Sequence, residues 1–354
     1  FGGAPTTSVP GVPSFGGGAP SYGAPSAPMS SAPPPAAVLD GTIQPPPPGW
    51  DPYGTPGSGP QSLLQQDPYY QVAPGYGATA VATMQKWLQH VGFDYLWMPG
   101  NAQRELGINE LELYATFALP FFYNTHAPLL ITPGFEIHYW DGPQTFDPYY
   151  ADLPPRTYDA WLDAAWKPEF TPWLGAELNF RIGVYSDFTE VTEDSLRYTG
   201  KGMMVLNLSP SFKLKGGIWY LDRVRVKLLP AGGFIWTPND DIRFEILFPD
   251  PKIAKRLAVY LNTEWWAYAR GEYGGDSWTV KRAAVAPPVV AGRIDQVDYN
   301  DLRFAVGVEF LRQSGLSGMF EVGLAFEREL RYASGLPRAF YLNSTVFVGA
   351  GLAY

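Results

Sequence analysis

The 354-residue chain has no cysteine, only three histidines, and a charged fraction of 17%. Without thiols it can form neither a disulfide nor a thiolate metal site, and it carries no cysteine nucleophile. The low charge, against the roughly 25% usual for soluble domains, moves weight toward a surface that does not face water. Long apolar runs are missing too. No stretch of about 18 uncharged apolar residues occurs, which excludes a transmembrane helix and leaves a β-barrel, whose lipid face uses only every second residue. The net charge of −9, with no clustered Lys and Arg, argues against nucleic acid as a partner.

Residues 1–85 contain no Lys or Arg and only Asp40, Asp51 and Asp67 as acids, while 18 of the 36 prolines lie before residue 77. Such a segment cannot build a core. It reads as a Pro/Gly-rich low-complexity arm ahead of a domain spanning 86–354. The runs Pro33–Pro35 and Pro45–Pro48 favour polyproline II, and the glycines near Gly16–Gly18 give flexible joints. Two readings stand side by side: a disordered linker, or an extended arm that docks on something. At about 3.1 Å per residue, roughly 45 residues of such chain reach on the order of 140 Å, enough to touch a neighbouring subunit. In "GWDPYG" and "QDPYYQ", Trp50, Tyr53, Tyr69 and Tyr70 are candidate anchors for that docking. The plainer reading is turn punctuation, because Asp-Pro starts turns and "DPYY" recurs at Asp147–Tyr150.

From His90 onward the pattern changes to period-two alternation. In "LRFAVGVEFL", Leu302, Phe304, Val306, Val308 and Phe310 form one face and Arg303, Ala305, Gly307 and Glu309 the other. "MFEVGLAFEREL" sets Phe320, Val322, Leu324 and Phe326 against Glu321, Glu327 and Glu329, and "WLGAELNFRIGV" sets Leu178, Phe180 and Ile182 against Glu177, Asn179 and Arg181. A sandwich would turn the apolar face inward; a membrane barrel turns it outward. Loop lengths separate the two. Connections alternate between tight turns, such as "SPSF" and "WTPNDD", and long links, as at Asp141–Arg156, Ala283–Val297 and Arg331–Ala339. This predicts an all-β transmembrane antiparallel up-and-down barrel of about 14 strands, with 12 as the alternative, and both ends of the barrel domain on the periplasmic side. The count treats the link after Phe248 as long, Gly274–Asp276 as a tight turn, and Ser277–Arg282 as a short strand. "KIAKRLAVYL" (Lys252–Leu261) is left as a helical turn or an extra strand. Tyr95, Trp97, Tyr139, Trp140, Trp236, Trp265 and Trp266 cluster toward strand ends, as interfacial girdles require.

The stretches "GTIQPPPPGWDPYGTPG", "LLQQDPYY", "IWYLDRVRVKLLPAGGFIWTPNDDIRFEILFPDPKIAKRL" and "ARGEYGGDSWTV" resemble a group of planctomycete outer-membrane β-barrel proteins, and the likeness covers roughly residues 41–354. The resemblance implies an outer-membrane location and a barrel, and it brings no catalytic or ligand residues with it. It further implies that "STVFVGAGLAY", with Val348, Leu352 and Tyr354, is similar to the last-strand signal by which such barrels are recognised for assembly.

If the apolar faces meet lipid, the opposite faces line the lumen. The expected lining is Glu112, Glu136, His138, Asp163, Glu177, Arg181, Arg243, Glu245, Arg303, Glu309, Glu321 and Glu327, an acid-rich set that would favour cations if the lumen conducts. A salt-bridged, non-conducting interior is the alternative. No catalytic residue, cofactor or metal site is assigned from the sequence. His90 and His126 read as solvated positions, and His138 near Glu136 makes no dyad by sequence proximity alone. "TPNDD" and "TEVTED" lack the ligand spacing of a calcium loop, and "GEYGG" lacks the Lys-Ser/Thr ending of a phosphate loop. The expected partners are outer-membrane lipid and, through the arm, a second copy or another envelope protein.

Overall fold

The computed structural model describes residues 87–100, 105–121, 124–142, 153–282, 293–312, 314–335 and 339–354, with the backbone alone for 124–126. The arm, with Trp50, Tyr53, Tyr69 and Tyr70, lies outside the described residues, as does "DPYY" at 147–150. The strands are β1 (Leu88–Met98), β2 (Gly107–Phe121), β3 (Asn124–Asp141), β4 (Arg156–Trp166), β5 (Glu169–Thr171), β6 (Leu174–Ser186), β7 (Leu196–Ser209), β8 (Phe212–Tyr220), β9 (Leu228–Asn239), β10 (Ile242–Phe248), β11 (Lys252–Tyr260), β12 (Thr263–Gly274), β13 (Ser277–Lys281), β14 (Ile294–Arg312), β15 (Ser317–Tyr332), β16 (Phe340–Tyr341) and β17 (Thr345–Ala353). Fourteen of them form the wall of a closed antiparallel barrel, and β5, β13 and β16 are short additions to it.

Closure is made by the last strand. Phe93 sits opposite Leu352 and Trp97 opposite Val348 across the β1–β17 seam. Beyond it the Val91 N–H donates to the Tyr354 carbonyl at 2.8 Å, and the Tyr354 N–H returns the bond at 2.9 Å. A closed ring leaves no row of unpaired backbone groups, which a chain inside hydrocarbon cannot tolerate.

The faces are inverted relative to a soluble protein. Phe304 is 51% exposed and Val322 44%, whereas Glu309 is 2% and Glu321 0% exposed. Apolar side chains therefore cover the outside and carboxylates fill the inside. Exposed aromatics gather at both rims: Trp87, Trp173, Trp236, Trp265 and Tyr354 at the end with the tight turns, and Trp97, Tyr139, Tyr198 and Tyr341 at the other. Two of the expected girdle residues are corrected. Trp140 and Trp266 are buried inside, because each neighbours an outward aromatic, Tyr139 or Trp265, and adjacent strand residues point to opposite faces. An outward apolar band between two aromatic rims on a closed barrel places the protein in an outer membrane.

The strand total matches the expectation while two segments exchange roles. The link after Phe248 is not long: Pro249–Pro251 leads directly from β10 into β11, so Lys252–Tyr260 is a wall strand. A register shift between Arg256 and Ala258 breaks its alternation, which is why the sequence reads as helical there. Gly274–Asp276 is not a hairpin turn. β12 and β13 both run antiparallel to β14, with Gly274 opposite Asp301 and Ser277 opposite Asp298. Gly275 makes the offset between them at φ +89°, where a Cβ would sit 2.0 Å from the Tyr299 carbonyl oxygen.

β13 leaves the wall. It is paired on one side with β14, while Thr279 bridges in parallel to Ser186 of β6, on another part of the ring. The Thr279 hydroxyl donates to the Asp194 carbonyl at 2.7 Å, and the Lys281 N–H to Asp187 at 2.9 Å. The upper parts of β14 and β15 follow it inward. In β15 the turn inward is made at Glu327, in the left-handed region at φ 51°, where the register jumps from Leu302 opposite Phe326 to Asn300 opposite Glu329. Above that bulge Arg328, Leu330 and Tyr332 are buried. Together these segments form a cap across the mouth, packed through Trp278, Val280, Val297, Tyr299 and Leu330 on Leu96, Met98, Ile108, Trp140 and Tyr185 of the wall. Arg328 ties the cap down by donating to the Leu106 carbonyl at 2.6 Å and to the Tyr299 hydroxyl at 2.8 Å.

Candidate functional site

Below the cap the lumen divides into two regions. Between β10 and β15 it is filled by ion pairs. Arg270 donates to Glu321 through Nε at 2.8 Å and Nη2 at 2.5 Å, and the Tyr268 hydroxyl donates to the same carboxylate at 2.8 Å. Arg270 also contacts Glu272. Lys252 pairs with Glu309 at 2.7 Å, Arg303 with Asp301 at 3.0 Å, and Arg243 with Glu245. Lys252–Glu309 reaches across the intervening β12 and Arg270–Glu321 across β14, while the other pairs join residues two apart on one strand, where side chains share a face.

The region between β2 and β8 holds a cavity of about 170 Å³. Its walls carry Glu110, Glu136, His138, Asp163, Glu177, Arg181 and Lys201, and the cap contributes Asp276 and Trp278. Lys215 reaches Glu177 at 2.7 Å, Asn179 donates to Asp163 at 2.7 Å, and Arg181 approaches Asp163 at 3.3 Å while lying 3.9 Å over the Trp161 ring.

One row across this wall is unusual. Asp94 on β1 sits opposite Glu112 on β2, Glu112 opposite Glu136 on β3, and Glu136 opposite Asp159 on β4. All four side chains point inward and are buried. Strands stand about 4.8 Å apart, so four carboxylates line up at close range. His138 adjoins the row: Nε2 lies 2.9 Å from Asp159 Oδ2 and 3.7 Å from Glu136, and Nδ1 lies 3.5 Å from Glu110 Oε1. Asp159 is held from above, its Oδ1 accepting from Trp278 Nε1 of the cap at 2.6 Å. Trp278 stands edge-on to His138, ring centres 4.9 Å apart, and to Trp140 at 5.0 Å.

The expected lumen residues are placed as follows. Glu112, Glu136, His138, Asp163, Arg243, Glu245, Arg303, Glu309 and Glu321 are buried inside, and Glu177 and Arg181 line the cavity. Glu327 is a correction: it is exposed, because it is the extra residue of the β15 bulge and the two-residue repeat breaks there. Val348, Leu352 and Tyr354 lie on the outward face at the seam. Asp94, Lys215, Lys252, Arg328 and Trp278 line or cap the interior and were not among the expected residues. Asp94 shares parity with Leu96 and Met98 and could have been found from alternation alone. His138 meets three carboxylates, and among the described residues no hydroxyl donates to it.

No protein-family model matches the chain, and no curated protein does. Among solved structures it is similar to LpxR from Salmonella typhimurium, at 10% identity and a TM-score of 0.33 over 75% of this chain and 99% of that one. An outer membrane protein from Acinetobacter baumannii matches at 9% identity and a TM-score of 0.26, over 75% and 96% of the two chains. A ferric enterobactin receptor mutant from Pseudomonas aeruginosa matches at 9% identity and a TM-score of 0.23, over 68% of this chain and 53% of that one.

Proposed function

We propose that this protein is a structural component of the outer membrane, a lipid-embedded barrel with a closed lumen that assembles through its proline-rich arm into a homo-oligomer or with other envelope proteins. The observation that carries the closed lumen is the pairing of β13 with both β14 and β6, which draws the chain across the mouth. The ion pairs from Lys252–Glu309 to Arg270–Glu321 support it, since they occupy the space that a conducting porin leaves to water. Assembly through the arm is supported by composition: residues 1–85 are too poor in apolar and charged groups to fold alone, yet they carry Trp50, Tyr53, Tyr69 and Tyr70. The motif resemblance supports reading the chain as one of the planctomycete barrels.

A weakly cation-selective diffusion porin is the second reading, favoured by the acid-lined cavity beside β3 and β4. Planar-bilayer recording separates the two. The structural reading expects no steady conductance from the full chain, and conductance from a variant in which residues 276–299, the β13–β14 arm of the cap, are replaced by a short turn. Open, cation-selective channels from the full chain would reject it. A companion variant lacking residues 1–76 should disperse the assembly to monomers in detergent; an unchanged oligomer would reject the role of the arm.

A further inference from the structure

We propose that Glu110, Glu136 and His138 form a binding site for a first-row divalent metal ion, zinc foremost, beneath the cap. One ligand atom from each of the three lies within 4.8 Å of the others, and all three residues are buried. Donors about 2.1 Å from a tetrahedral zinc stand about 3.4 Å apart, close to the 3.5 Å between His138 Nδ1 and Glu110 Oε1, and side-chain rotation brings in Glu136.

The histidine is prepared for the role. Asp159 accepts from Nε2, which fixes the ring proton there, and Asp159 is itself held by Trp278. A carboxylate behind a histidine that leaves the other nitrogen bare is the usual support of a metal-binding imidazole. The other nitrogen is Nδ1, which is buried, faces Glu110 at 3.5 Å and, among the described residues, makes no hydrogen bond of normal length.

An independent observation comes from Asp94. It is 2% exposed, and among the described residues neither of its carboxylate oxygens has a hydrogen-bond partner, although it belongs to the same row as Glu112, Glu136 and Asp159. Buried, directly opposed like charges are unfavourable unless a proton or an opposite charge neutralises them. One divalent ion at the Glu110, Glu136 and His138 atoms supplies more of that charge than a protonated imidazole can. An imidazole with two carboxylates suits zinc or its first-row neighbours; calcium and magnesium prefer oxygen ligands alone. The remaining coordination positions face the cavity, so the ion can be reached by water and exchanged. The assignment does not depend on whether the lumen conducts.

The full chain, folded in detergent and stripped with a chelator, is given zinc, passed over a desalting column and assayed by atomic spectroscopy. One equivalent per barrel is expected. His138→Gln and the Glu110→Gln/Glu136→Gln pair should lose it, Asp163→Asn on the same cavity should keep it, and Asp159→Asn should weaken affinity about 10- to 100-fold through the ring orientation. Cobalt offered to the unmutated chain provides a readout independent of variant folding: visible d–d bands that zinc abolishes and calcium leaves intact. Absence of those bands, zinc retention by His138→Gln equal to that of the unmutated protein, or displacement of zinc by an equal concentration of calcium would each overturn the assignment.

Discussion

Glu321 and Glu327 lie on the same β15 strand six residues apart, and strict alternation puts both in the lumen. The structure separates them. Glu321 is 0% exposed and accepts from Arg270 Nε, Arg270 Nη2 and the Tyr268 hydroxyl, whereas Glu327 is exposed at the bulge. Replacing Glu321 by Gln removes the charge that balances a buried guanidinium and leaves Arg270 to Glu272 alone. Breaking a buried pair from one side costs about 3–5 kcal/mol, because the surviving charge stays out of water. Glu327→Gln should change stability by less than about 0.5 kcal/mol, as surface substitutions do. A third variant, Arg270→Met with Glu321→Leu, should recover most of the loss, since an apolar pair strands no charge. Urea unfolding of the barrel in lipid vesicles, followed by tryptophan fluorescence and by heat-dependent gel mobility, measures all three. Equal effects of Glu321→Gln and Glu327→Gln would refute the bulge-reset parity, and a double variant no better than Glu321→Gln would refute the charge argument.

Thr279→Cys with Ser186→Cys should form a disulfide in this otherwise cysteine-free chain, read as loss of titratable thiol, because the two residues are bridge partners between cap and wall. Phe304→Arg should destabilise the inserted barrel by about 2–4 kcal/mol in vesicles, the cost of a cation on the lipid face near mid-membrane; a neutral result would mean that this face is wet. Asp250, in the connection between β10 and β11, is pushed up to about 7, first by burial and then by Glu272, against the opposing pull of Lys201. A folded-state value above the unfolded one means stability is lost as pH rises from about 4 through about 7, by an amount on the order of a few kcal/mol. Asp250→Asn should therefore raise the melting temperature at pH 8 and leave it unchanged near pH 4; the opposite trend would show that Asp250 is a stabilising anion.

Alternation made much of the wall legible. Phe304 and Glu309 could be assigned to opposite faces because the pleat has a period of two and β14 keeps it below Asn300. Where the period slips, reading failed. Leu257 is the extra residue of a register shift and Glu327 sits in a bulge, so alternation reads β11 as a helical turn or an extra strand and puts Glu327 inside. The cap was not legible at all. Ser277–Lys281 has strand composition, but its crossing to Ser186 depends on a contact nearly a hundred residues away that no local pattern encodes. The candidate site fails to appear for a related reason: parity says that Glu110, Glu136, His138 and Asp159 face inward, and only the pairing registers bring them to one level.

The cap is continuous with β12, β14 and β15 and is no separate domain seated in the bore. A detachable stopper can be pulled free as a unit. Here, moving the obstruction means unpicking backbone bonds from Ser277–Asp298 to Val297–Tyr332, each worth about 0.5–1.5 kcal/mol net. On the closed-lumen reading proposed above, any passage through this barrel is a partial unravelling of its own masonry, which ties permeability to the strength of the sheet.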